Sequence, residues 1–154
     1  MRQRRCFGAF LAGLAGLGIS ACGDDALHAD WSQLSFPEGV TVTEPIEKPS
    51  GITDAFGWSA IAVGPRSVNS QELTRIMRLH LADEGWEIFG RNHVPPGFFA
   101  DAPESIDVAS IEPIAALKRD PRWVRQELRQ RIKATPDASR GVVVRLAPTE
   151  QQPG

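Results

Sequence analysis

Three stretches of this chain carry residue types that do chemistry. Gly57-Trp58-Ser59-Ala60-Ile61 begins like the sharp turn that exposes a nucleophilic serine. That turn needs a second glycine where Ile61 stands, and Ser59 opens an apolar run of strand length instead of following one. His93 lies beside the Pro95-Pro96-Gly97 turn, with Asp101 and Asp107 downstream. A histidine and a nearby carboxylate are the minimum for general-base work in a small hydrolase or transferase. Cys22 is the third, a thiol set directly after small residues. Against these stand clear gaps: no glycine-rich phosphate loop, no HExxH and no cysteine pair for zinc. Asp83 and Glu84 are helix neighbours and diverge by about 100°, so they do not face each other. His28 gathers with Asp24, Asp25 and Asp30 on a polar segment that offers no supporting shell to fix a metal, so it reads as solvated. His80 falls on an apolar helix face beside Ile76 and Met77, a packing position. No catalytic residue, metal or cofactor is assigned on these grounds, and the enzyme question stays open with His93 as its one candidate.

The surroundings of Cys22 say more. Arg2, Arg4 and Arg5 make a positive head, Phe7 to Ile19 an apolar middle, and Ser20 and Ala21 a small-residue exit. Charge, apolar core and small residues in that order are the pattern of a secretory signal. Ile19-Ser20-Ala21-Cys22 resembles the lipobox of bacterial lipoproteins, although leucine is commoner where Ile19 stands. The resemblance covers about the first 23 residues and implies diacylglyceryl transfer to the Cys22 thiol, then cleavage just ahead of it. Two acyl systems on one residue would make a durable anchor, since one chain alone binds only marginally. The alternatives are an uncleaved span and a signal cut elsewhere. The uncharged run Cys6 to Gly23 has 18 residues, the lower limit for a span, and holds Gly8, Gly13, Gly16 and Gly18. All three readings place the bulk of the chain outside the cytoplasm. Gly23 follows the cysteine where an aspartate would resemble an inner-membrane retention signal, so outer-membrane sorting stays open.

The chain has 154 residues. Without residues 1–21, Lys plus Arg falls from 17 to 14 while Asp plus Glu stays at 19, and the net charge moves from −2 to −5. An acidic chain of this size is one domain with a real core and no general nucleic-acid binder. Cys6 would leave with the signal and Cys22 would be acylated, so no disulfide or catalytic thiol is expected.

The remainder reads as a polar tether over 22–36, a single α+β domain over 37–147 and a disordered tail over 148–154. Val40 and Val42 alternate with Thr41 and Thr43 as a short strand. Trp58 to Val63 is an apolar strand-length run. Asn69 with Glu72 makes a capping-box-like start for a helix over 70–84, with Leu73, Ile76, Met77, His80 and Leu81 at helical spacing and Gly85 as the stop. Trp86 to Gly90 reads as a returning strand. Asn92 to Pro103 reads as a loop, and 105–111 as either strand or helix. Ile114 to Ile132 has helical spacing with a fresh start at Pro121, and Gly141 to Leu146 closes as a strand. This succession predicts a small antiparallel sheet covered by two helices on one face, in the split βαβ order of a ferredoxin-like sandwich.

Two surface features attract attention. In Val94-Pro95-Pro96-Gly97-Phe98-Phe99, adjacent phenylalanines on an extended chain cannot point the same way. One packs inward, and the other sits at a groove rim, a partner contact or the lipid boundary. Charge is also uneven: 22–112 hold 5 basic and 15 acidic groups, 113–147 hold 9 and 3. Lys118, Arg122, Arg125, Arg129 and Lys133 recur at helical spacing, either as a solvated face helped by a Glu127–Arg131 pair or as a stripe for anionic lipid or an acidic partner. His93, Phe98, Phe99, Arg122, Arg125 and Arg129 therefore form the candidate partner or ligand surface. The reading that follows is a lipid-anchored envelope module that binds a partner protein or a ligand without catalysis. A membrane-surface module and a His93 hydrolase are the alternatives.

Overall fold

A computed structural model describes residues 27–49, 55–89, 97–117 and 126–149. The strands are β1 (Leu27–His28), β2 (Thr41–Val42), β3 (Ile46–Pro49), β4 (Ala55–Val63), β5 (Glu87–Phe89), β6 (Phe98–Asp101), β7 (Asp107–Pro113) and β8 (Val142–Pro148). The helices are α1 (Ser70–Asp83), α2 (Ile114–Leu117) and α3 (Gln126–Ala134). The fold is α+β, as the sequence predicts, with one sheet ordered β1-β4-β8-β7-β6-β5. β2 and β3 pair with β4, and all pairings are antiparallel except β1 with β4.

The expected strand–helix–strand unit is β4-α1-β5. Asn69 caps α1 by accepting the Glu72 N–H at 2.9 Å, and Gly85, at φ +88°, takes the left-handed turn that ends it. Leu73, Met77 and Leu81 are fully buried from α1, while Ile76 is only half-buried. The ambiguous 105–111 segment belongs to strand β7, whose residues alternate between buried and half-buried.

The finer arrangement departs from a ferredoxin-like sandwich in two ways. A split βαβ unit has one strand between its parallel pair, whereas β8, β7 and β6 all lie between β4 and β5. The helices also do not share a face. α1 packs with Ala62, Phe98, Ala100, Ala109, Ile111, Val142, Val144 and Leu146. Ile114, Leu117 and Leu128 of α2 and α3 pack with Ile61 and Val143, which point the other way. The cause is visible in the central strands: Val142-Val143-Val144 and Ala60-Ile61-Ala62 are unbroken apolar runs, fully buried, so both faces need a cover.

Two segment boundaries also differ. Part of the predicted tether belongs to the domain. Asp30 begins a 3-10 turn at Trp31–Gln33, Ala29 and Leu34 are buried, and Trp31, Phe36 and Val40 pack on the α1 side of the sheet. Five apolar residues spaced among polar ones seat this strap beside α1. At the other end Pro148 is buried in β8, and the Thr149 N–H donates to the Ile106 carbonyl at 2.8 Å. The predicted loop over 92–103 contains β6, because Phe98 and Ala100 bury one face of a strand that pairs with β5 and β7.

Candidate functional site

Alternation along β6 separates the two phenylalanines. Phe98 points to the α1 side and is 3% exposed; Phe99 points away and is 42% exposed. Phe98 is therefore a core residue and not part of a surface, a correction that follows from the period-two geometry of a strand. Register then gives Phe99 a partner. β5 pairs with β6 so that Phe89 lies opposite Phe99 and Glu87 opposite Asp101. The two rings stack with centroids 5.6 Å apart and 19° between planes, and Phe89 is likewise 42% exposed. The outer face of the β5–β6 hairpin thus shows a stacked aromatic pair and, one repeat along, two carboxylates side by side.

Across the sheet, Phe99 lies opposite Ser110, and Ser110 opposite Arg145. Arg145 is occupied: it binds the Glu112 carboxylate, both groups being half-buried. Asp101 lies opposite Val108. Among the described residues, no cation pairs with Glu87 or Asp101.

Asp107, named as a carboxylate for His93, has another task. It is 4% exposed and accepts the Asp30 backbone N–H at 3.0 Å and the Gln33 side-chain amide at 3.2 Å. Ser105 completes the ring, donating its hydroxyl to Gln33 Oε1 and accepting the Asp107 N–H. The strap is held further by Trp58 Nε1 donating to the Ala29 carbonyl at 2.8 Å, and by a 2.8 Å bond between His80 Nε2 and Ser35 Oγ. His80 is half-buried, a packing and bonding residue. His28, expected to be solvated, is exposed and bonded to Glu47 at 2.7 Å. Asp30 accepts the Ser32 hydroxyl and backbone N–H, which hold its carboxyl below the ordinary carboxylate range. No group of three or more metal-ligating side chains exists among the described residues.

The basic helix is only partly free. Arg129 and Lys133 are exposed on α3. Arg131, however, donates to the Glu44 carbonyl, and Glu127 pairs with Lys48 of β3, so the expected Glu127–Arg131 pair is replaced by two ties between α3 and the β2–β3 segment. Cys22, His93, Arg122 and Arg125 lie outside the described residues.

No sequence family, characterised protein or solved structure matches this chain.

Sequence reasoning found Phe99 but missed Phe89 and Glu87. Their common side was readable from the alternation of Glu87-Ile88-Phe89. Their partners were not, because register across a hairpin is set by the turn and the packed face together.

Proposed function

We propose that this chain is an exported lipoprotein of the bacterial envelope, acylated at Cys22, whose domain is a non-catalytic binding module for a partner protein. The observation that carries the binding reading is the stacked Phe89–Phe99 pair held open on the sheet face away from α1. Two large rings exposed together make a contiguous apolar patch of the kind that marks contact sites, and stacked aromatics are common anchors there. The anchor reading rests on the order of charge, apolar run, small residues and cysteine. It agrees with the strap, since Leu27 begins β1 only five residues after Cys22. That reach is about 18 Å at full extension, so the domain would ride close to the lipid.

A photo-crosslinking side chain at position 99 in the native host is the test of the binding reading. One dominant envelope protein among the products supports it; a spread of abundant neighbours counts against it. Intact mass of the purified protein tests the anchor separately. A diacylated or triacylated N-terminal cysteine is expected, and a retained Met1 or a free thiol refutes it. The membrane-sensing alternative keeps Arg129 and Lys133 as its support. It demands vesicle binding that falls steeply with salt.

A further inference from the structure

We infer that the outer edge of β5 receives an extended segment of a partner protein, a strand carrying a lysine or arginine two residues from an apolar side chain. This rests on the binding-module reading above and specifies the chemistry of its partner.

Three observations converge on that occupant. First, β5 ends the strand order, and among the described residues nothing pairs with its outer edge. Short length, charge and proline all blunt exposed edges; β5 (Glu87-Ile88-Phe89) is short and carries Glu87, but has no lysine or proline to turn away a cationic strand. Its three-residue length limits promiscuous pairing, so selection must come from side chains. Second, Glu87 and Asp101 are direct cross-strand neighbours. Like charges so placed repel, and no described cation relieves them. An incoming cation opposite Glu87 would neutralise both. Third, the next outward pair is Phe89–Phe99, about 7 Å along the same face. In an added strand, the residue two positions from the cation would fall beside Phe89. A long basic side chain can also lay its stem on the rings while its head reaches the carboxylates. The position between them would face Ile88, which packs against the α1-side core, and so would also be apolar.

The added strand thus reads cation, apolar, apolar against Glu87, Ile88 and Phe89. Backbone bonds to the edge would give affinity, and the charge and aromatic pairs would give selection, the division of labour seen in β-strand addition. Among the alternatives, an anionic bilayer would meet the carboxylate pair unfavourably. A second copy paired antiparallel would set Glu87 against Phe89.

The test uses the full lipidated chain in neutral detergent with two threonine-flanked decapeptides, one centred on Lys-Val-Phe and one on Glu-Val-Phe, each also in reversed order. Saturable binding of a lysine peptide, at least about tenfold tighter than its glutamate twin, is expected. Backbone amides of Glu87–Phe89 should gain hydrogen-exchange protection on binding. Charge reversal by Glu87→Lys with Asp101→Lys should invert the preference, and Phe99→Ala should weaken both complexes. Leu79→Ala, an exposed apolar change on α1, serves as control and should alter neither. Equal binding of the two peptides, unchanged preference after charge reversal, or protection elsewhere in the sheet overturns the inference. So does binding to phosphatidylglycerol vesicles in place of peptide. If crosslinking at position 99 captures one protein but charge reversal leaves that capture intact, strand addition falls and the binding module stands. If no single protein is captured, the broader reading falls as well.

Discussion

Phe98 and Phe99 differ by one residue number and by most of their energetics. Phe98→Ala opens a cavity beneath the sheet and should cost about 3–5 kcal/mol, while Phe99→Ala removes only a half-exposed stacking partner, worth about 1 kcal/mol. Chemical denaturation of the two variants checks this, and equal losses would contradict the placement of β6. Asp107→Ala strips the acceptor from the Asp30 N–H and the Gln33 amide and should cost about 1–3 kcal/mol, read in the same way. Exchange of amides in 29–34 should quicken more than exchange in β8. Acid sensitivity has two sources at this scale. Ser32 holds the Asp30 carboxyl below its ordinary range, and Arg75 does the same for Glu72. A folded-state value below the unfolded one gives a contribution complete at neutral pH, lost as pH falls through the folded value. The stability gap between wild type and Asp30→Asn, or Glu72→Gln, should therefore be constant from pH 8 to about 5 and close below about pH 4.

Among the elements, α1 was the most legible, because its cap, apolar spacing and terminal glycine are all local signals. Asn69→Ala should cost about 1 kcal/mol in thermal unfolding, since the Glu72 N–H would lose its acceptor. β4 and β8 were legible as apolar runs, but cover was expected on one face only; it is their lack of alternation that demands burial on two. β6 was not legible: Pro95-Pro96-Gly97 reads as a turn, and only two of its four strand residues are apolar on the buried side. Gly97, directly ahead of β6, is required by closeness instead of by an unusual dihedral. A Cβ there would come within 2.5 Å of the Ile111 carbonyl oxygen, so Gly97→Ala should push β6 off β7 and destabilise the hairpin face that carries Phe99. The strap was read as tether because its composition is polar. Its attachment depends on Asp107, about 75 residues away, a distance over which sequence pattern carries no signal. The candidate surface divides on the same line. Phe99 was found by alternation, while its companions Phe89, Glu87 and Asp101 are assembled by register between separate strands.

For the molecule as a whole, the class was legible and the topology was not, since two orders of the same strands satisfy the same local patterns. The order found here puts β8, last of the described strands along the chain, between β4 and β7, with apolar side chains on both of its faces. A chain ending near residue 138 would hold two half-sheets, each lacking its neighbour, and should give no cooperative unfolding transition by circular dichroism. Formation of the native core must therefore await the arrival of the final strand, and pairings of high sequence separation slow that step. For a polypeptide threaded across a membrane from its N-terminus, this would mean that the β1–β4 and β5–β7 half-sheets emerge before the strand that joins them. A chain exported as proposed would stay pliable during passage and close its core only once β8 has cleared the pore.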